Sequence, residues 1–474
     1  MLKTIAVRLG LTLSISLGFW AYASPAPISC EPFLAPKSGI SRASDDFRMS
    51  TYLTDTLASL EAMRGLNGLL ADTIMVTVND SGLPLVEVLN PDTSPTNIAV
   101  DLLIQAEKSN VRNLSKIIKT LSQLEYHQQT GLFFSRYTTD SKSTITDFAV
   151  SSIDNLHLAI ALFTIQEKFP QREIGRRARQ MFARMNFSVF YEPTSGLIGG
   201  NLRHANGQWF KEEYNFTHFG SEARLLYSAG WALGLFRDYG TGEELAQKSI
   251  AAIKFEMVPY GEDELLKLWD GSAFQLFFPM IFMAEQKYSP RMKSVFSATA
   301  DLMISEGVRR GLGVPAAHSA GRASIHDGTQ EPTYKDKAGD RSLVSADNND
   351  LNDPRLSKSW DSTFAPYALF MAAAIDPDKF KSTWRNLETI SSGGNRLYVR
   401  GMGWMDGLHV SGPYKGQVVP AQLALNQGMI ALSLLQMQSA DGMNVGARAM
   451  FENPQVHARL SRFYAMIART GSRP

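Results

Sequence analysis

Four acidic residues stand at the starts of helical patterns. Asp154 follows Ser151-Ser152-Ile153, Glu222 follows Gly220-Ser221, Asp270 follows Trp269, and Asp361 follows Trp360. Cleavage of a glycosidic bond needs two carboxyl groups at a controlled separation, one donating a proton and one acting as base or nucleophile. Acids far apart in the chain can supply that pair if their helices bring their N-termini to one place. Trp269, Trp360 and Trp404 add flat faces with a polar edge on which sugar rings can stack. Each acid also has a plain structural explanation. A carboxylate in a first helical turn complements the helix dipole, and Ser151-x-x-Asp154 is close to a capping box. Such a cap contributes about 0.5–2 kcal/mol.

Other chemistries lack their signatures. The eight histidines show no HExxH or H-x-x-x-H spacing, and Cys30 is the only cysteine, so no metal site or cofactor is expected. The oxygen-rich run Asp347–Asp353 lacks the glycine and closing glutamate of a calcium loop. Gly311-Leu312-Gly313 does not follow a strand, and no G-x-S-x-G elbow occurs.

The elements that must position the acids are helical. Apolar residues recur at helical spacing in Leu53–Leu70, Ala99–Glu125, Ile153–Phe169, Ile174–Met185, Glu222–Phe236 and Gly271–Gln286. The same pattern continues in Arg291–Arg309, Ser362–Ala374, Pro377–Ile390, Val419–Gln436, Val445–Phe451 and Pro454–Ile467. Strand signals are short: Met75–Val78, Leu197–Leu202 with Trp209–Phe210, and Arg396–Val399. About twelve helices without buried strand runs predict an all-α fold, and a ring of helical hairpins, an (α/α)6 toroid with short β-hairpin insertions, is the natural candidate. The segments between 222 and 286 are apolar nearly all round, as inner-ring helices must be. His326 to Ser359 breaks the pattern. It is polar, charged and aperiodic, and a toroid would place it at the rim of its site.

Composition bounds the class. Hydrophobic residues make up 44% of the 474, enough for a large core. Lys and Arg number 47 against 46 Asp and Glu, so no global basic field exists to hold nucleic acid or an anionic membrane. The N-terminus reads as an export signal: Lys3 and Arg8, an apolar stretch Leu9–Trp20, then Ala21-Tyr22-Ala23. The stretch is shorter than the roughly 20 residues of a spanning helix. Cleavage after Ala23 is expected, with delivery to the periplasm and no membrane span. Residues 24–50 read as an N-terminal arm and 51–474 as a single domain. A lipoprotein acylated at Cys30 is disfavoured by the poor lipobox Pro27-Ile28-Ser29.

Several motifs in order resemble the glycoamylase-like family, relatives of endo-β-1,2-glucanases and of the transglycosylase part of cyclic β-1,2-glucan synthases. Ser151-Ser152-Ile153-Asp154 is similar to its S-V-D helix start, and Gly220-Ser221-Glu222-Ala223-Arg224 to its G-S/T-E-A-R. Trp269-Asp270-Gly271-Ser272-Ala273-Phe274 with Pro279 resembles W-x-G-S-x-F with its proline, and Ala365-Pro366-Tyr367-Ala368 resembles A-P-Y-A. Tyr398 to Asp406 is similar to Y-G-F-Y-D, and Asn426-Gln427-Gly428-Met429 to D-Q-G-M. The resemblance covers about residues 115–467. It implies an (α/α)6 barrel acting on glucans, with Glu222 as general acid and Asp154 and Asp361 in the cleft. Asp270, Trp269, Trp360, Trp404, Asp406, Tyr214, Arg224 and Gln427 become candidate substrate contacts. The sequence departs from the pattern at Ala320, where some members carry an acid, and at Asn426 in place of Asp. Either the reaction then differs, or another carboxylate such as Glu331 serves, or activity is lost.

Three functions follow. The first is an exported glycoside hydrolase or transglycosylase acting on a bacterial glucan or exopolysaccharide. The second is a non-catalytic glycan-binding accessory protein that works with polysaccharide synthesis or secretion machinery. The third is a polysaccharide lyase, because Tyr214, Asn215, His218 and Arg224 are the residue types that surround a uronate.

Overall fold

The computed structural model describes residues 42–240, 243–269, 271–309, 311–317, 363–410 and 415–470. The export signal, most of the arm, Asp270, Trp360, Asp361, Ala320, Glu331 and the polar segment 326–359 lie outside the described residues. Helices carry most of the regular structure. In the first half they are α1 (Arg42–Ala62), α2 (Pro95–Glu107), α3 (Val111–Leu121), α4 (Ser152–Lys168), α5 (Glu173–Arg184) and α6 (Glu243–Ala252). Then come α7 (Ala273–Phe277), α8 (Pro279–Phe282), α9 (Glu285–Tyr288), α10 (Pro290–Arg309) and α11 (Pro366–Ala373). The chain closes with α12 (Lys381–Glu388), α13 (Ala424–Gln438), α14 (Val445–Glu452) and α15 (Pro454–Thr470).

Burial sorts these helices as their sequences require. Every residue from Pro95 to Ala106 in α2 and from Pro366 to Ala373 in α11 is buried. Helix α11 has no polar face and can only sit inside, whereas α2 buries a polar stripe, Asn97, Asp101 and Gln105, on internal partners that include Asp72 and Arg64. By contrast, α5 buries Ile174, Gly175, Ala178 and Met181, a single stripe at helical spacing. Helix α2 packs on α4 and α13, α13 on α11, and α11 on α7. Helices α3 and α5 cover α2 and α4 from outside, and α1 covers α13. The buried apolar residues form one contiguous cluster, with a small satellite of Ala284, Met443 and Ala447. No described helix is long and apolar enough to cross a membrane.

The β structure consists of short antiparallel ladders, several directly before inner helices. Val150–Ser151 pairs with Asn201–Ala205 and leads into α4. Thr363–Phe364 pairs with Gly407–His409 before α11, and Ala421–Leu423 pairs with Thr73–Val78 before α13. The ladders therefore anchor helix N-termini.

Several boundaries differ from the sequence expectation. Helix α1 starts at Arg42, inside the segment read as an arm. The span Ala99–Glu125 is two helices, because Ser109 adopts φ 52° and the Asn110 side chain caps α3 by accepting from the Asn113 N–H. Helix α6 and the hairpin Met257–Tyr260 with Asp263–Leu266 were not foreseen. The segment Glu222–Phe236 shortens to helical residues 224–232 around a π-turn at Leu226–Gly230. Gly271–Gln286 breaks into α7, α8 and α9. Pro279 has no N–H to give the carbonyl of Gln275 four residues back.

That orphaned carbonyl explains Arg224, which the sequence placed among substrate contacts. Arg224 is wholly buried, and its Nη1 donates to the Gln275 carbonyl at 2.5 Å and to the Ser221 carbonyl at 3.1 Å. Nη2 reaches the Leu276 carbonyl, and Nη2 and Nε bond Glu285 at 2.7 and 2.9 Å. Tyr464 on α15 donates to the same carboxylate at 2.5 Å. Arg224 thus cross-links residues 224–232, α7, α9 and α15, and it is not a sugar contact. Arg224→Met should lower the unfolding free energy by about 3–5 kcal/mol in urea denaturation, the cost of leaving a buried charge unpaired. Adding Glu285→Leu should restore only part of it, since the three carbonyls still lack their donor.

Candidate active site

The site is built outward from the start of α2. The Ser94 hydroxyl caps the helix by accepting from the Asn97 N–H at 3.1 Å, and Pro95 supplies a pre-set φ at the first position. The next two side chains each hold a carboxylate. The Thr96 hydroxyl donates to Asp154 Oδ1, and Asn97 Nδ2 donates to Asp72 Oδ1 at 3.1 Å. Asp154 lies in the first turn of α4, where its own N–H bonds the Ser151 hydroxyl at 3.2 Å. Asp72 is buried and also accepts from Thr73 Oγ1 at 2.9 Å and Arg136 Nη1 at 3.0 Å. Its carbonyl accepts the N–H of Ala424, the first residue of α13, at 2.8 Å.

These residues open onto a cleft of about 400 Å³. Its walls include Thr96 and Asn97 from α2, Asp154 from α4, Phe274 from α7, Tyr367 from α11 and Asn426 from α13. Five helices thus present their first turns to one hollow. Asp147, Asn201 and Arg203 complete a polar flank. Both arginines of the cleft have carboxylate partners: Arg136 has Asp72, and Arg203 has Glu212 at 2.8 Å and Asp147 at 3.8 Å.

Tyr214 stands at the rim, half exposed, with its hydroxyl accepting from Asn201 Nδ2 at 3.0 Å. Burial, reinforced by the charge of Glu212, pushes its phenol up to about 12, so it is a neutral hydroxyl at working pH. Gly200 lies directly beneath it, where a Cβ would displace the tyrosine hydroxyl from its present position. Glu222 is half-buried beside the cleft. Its N–H donates to Gln275 Oε1 at 2.8 Å, next to the wall residue Phe274, but Glu222 is not among the lining residues. Trp269 is exposed, and its N–H bonds the Gly220 carbonyl at 2.8 Å, two residues before Glu222.

Three further candidates take other roles. Trp404 is fully buried in an aromatic cage of Tyr52, Tyr398, Phe370 and Trp384, with centroids 4.9–6.3 Å away, so it offers no face to a sugar. Gln427 is equally buried and donates to the Trp404 carbonyl at 2.6 Å. Asp406 is buried behind the wall and accepts from Asn426 Nδ2, so it orients Asn426 rather than meeting a ligand. The proposed lyase quartet also disperses. Asn215 sits in a ladder opposite Gly199, His218 bridges Lys254, and Arg224 faces Glu285. Sequence reasoning missed Asp72, Asn97, Arg136, Asp147, Asn201 and Arg203. Ser94-Pro95 was a readable helix start that leads to Thr96 and Asn97, whereas Asp72 has no local motif.

No family model matches the chain, and no curated protein matches it significantly. Solved structures do. An endo-β-1,2-glucanase variant from Talaromyces funiculosus in complex with β-1,2-glucan is 13% identical, with 91% of this chain and 92% of that one covered and a TM-score of 0.66. An endo-β-1,2-glucanase from Chitinophaga pinensis, bound to sophorotriose and glucose, is 13% identical over 90% of this chain and 98% of that one, TM-score 0.61. A glucoamylase-like protein from Bacteroides caccae is 12% identical over 88% and 98%, TM-score 0.62. The chain has their fold. The glucoamylase-like resemblance read from the motifs is therefore matched in three dimensions.

One turn beyond Asp154, His157 is buried against Phe278 and Phe282, and burial pushes its imidazole down to about 3. An unfolded histidine binds a proton near 6.5. Between these values only the unfolded chain is protonated at this position, so stability is lost as pH falls from about 6.5 toward 3. Urea unfolding measured across that window should show a loss of up to about 1.4 kcal/mol per pH unit from this group. His157→Phe should flatten that slope.

Proposed function

We propose that the protein is an exported glycoside hydrolase or transglycosylase acting on a neutral β-linked glucan. The observation that carries this reading is the meeting of five helix N-termini at a polar cleft with three carboxylates, in a fold shared with endo-β-1,2-glucanases. In this reading α2, α4, residues 224–232, α7 with α8, α11 and α13 form the inner ring of a single-domain (α/α)6 toroid. Glu222 donates a proton to the glycosidic oxygen, and Asp154 is the opposing carboxylate that activates water or attacks the anomeric carbon. An acceptor sugar in place of water gives transglycosylation. Asp361, outside the described residues, remains a candidate for the opposing role. Asp72, paired with Arg136, is unsuited to proton donation and instead fixes the floor of the cleft.

The paired arginines favour a neutral sugar over a uronate. A lyase needs cationic side chains free to neutralise a carboxylate, and Arg136 and Arg203 already serve Asp72, Glu212 and Asp147. One observation favours glycan binding without turnover: Glu222 is not a lining residue of the cleft. Export through cleavage after Ala23 and a periplasmic location complete the proposal.

The mature protein incubated with a glucan panel should release reducing ends from β-1,2-glucan and produce no unsaturated uronate absorbance. Glu222→Gln and Asp154→Asn should each lower the rate by about 10²–10⁴-fold with unchanged urea unfolding. Binding without product, measured by calorimetry, would establish the accessory reading. Separately, N-terminal sequencing of the protein from the periplasmic fraction should begin at Ser24.

A further inference from the structure

We propose that His157 is a positioning residue of the cleft: as a neutral imidazole protonated on Nδ1, it donates to Thr96 and thereby commits the Thr96 hydroxyl proton to Asp154. The inference rests on the reading of Asp154 as a working carboxylate.

The tautomer follows from a count of protons. His157 Nδ1 lies 2.9 Å from Thr96 Oγ1, and the same oxygen is hydrogen-bonded to Asp154 Oδ1. A threonine hydroxyl has one proton and a carboxylate has none to give. The proton between Thr96 and Asp154 is therefore the threonine's own. Its oxygen then faces Nδ1 with a lone pair, and only an Nδ1–H can meet it. The opposite arrangement sets an oxygen lone pair against the Asp154 carboxylate. It also moves the ring proton to Nε2, which is buried and has no partner. The ring stacks on Phe282 at 4.5 Å and 14° and meets Phe278 edge-on at 4.9 Å. An N–H without an acceptor in such surroundings is costly, while a bare lone pair is tolerated better.

Helix geometry makes the clamp possible. Asp154 and His157 are three residues apart on α4 and so share one face. That face meets the first turn of α2, where Thr96 projects between them. Asp154 Oδ1 is thereby fixed, and Oδ2 is the oxygen left for water or sugar. Chained hydrogen bonds polarise one another, so removing either end weakens the other.

The test uses the full mature chain labelled with ¹⁵N-histidine. Long-range ¹H–¹⁵N correlation spectra, with His157 assigned through its contacts to Phe278 and Phe282, report the tautomer. The expected result is Nδ1–H in the unaltered protein, with an upfield shift of the Nδ1–H signal in Asp154→Ala. An Nε2–H tautomer, or a His157 signal indifferent to Asp154→Ala, overturns the proposal whether or not any glucan is cleaved. Where turnover is measured, Thr96→Val should lower kcat by about tenfold or more with little change in KM, and Thr96→Ser should restore it. Unchanged kcat in Thr96→Val also overturns it. Absence of turnover in the unaltered protein sinks the hydrolase reading alone, and the spectra still decide the role of His157.

Discussion

The cleft is referred throughout to the buried carboxylate of Asp72. Its oxygens gather Asn97 from α2, Thr73 from the ladder that borders α13, and Arg136 from the polar flank. Its carbonyl takes the first N–H of α13, and its own N–H goes to the Asp92 carbonyl at 2.7 Å. A carboxylate with several donors, one of them charged, has little freedom to move. Thr96, next to Asn97 in the first turn of α2, donates to Asp154 on α4, so one helix turn holds both acids. Two acids 82 residues apart in the chain are thus tied to neighbouring side chains of α2.

Much of the helical plan was legible because it rests on burial periodicity, which sequence carries directly. The almost wholly apolar stretches Leu276–Phe282 and Tyr367–Ala373 could only be interior. Ser151 announced the start of α4 through its capping spacing. Helix breaks were less legible. The break at Ser109 depends on one residue in a left-handed conformation, and the break at Pro279 is compensated by a side chain more than fifty residues away. Neither compensation leaves a local trace.

The site shows the same division. Acids at helix starts could be found by spacing, and Asp154 was. Whether a given motif residue faces the hollow or the core could not. Arg224 and Gln427 belong to the motifs themselves, yet one turns to Glu285 and the other to the carbonyl of Trp404. Trp404 looked like a sugar platform by type, and its cage of four aromatic rings is formed by residues as distant as Tyr52. Asp72 was invisible because its partners come from four separate stretches of chain. At 13% identity to glucanases of the same fold, shared architecture reflects this pattern of inside and outside more than shared side chains.

Because the cleft is assembled from first turns, with strand ladders pinning several of the entries, the molecule has a cleft end and an opposite end. The helices run away from the hollow, and their last turns meet loops such as the exposed Lys108–Ser109 corner between α2 and α3. Alterations there are separated from the carboxylates by whole helix lengths, roughly 20 Å for α2 at 1.5 Å per residue. Fluorophores, surface tethers or fused domains attached at that far pole would sit a helix length from the cleft.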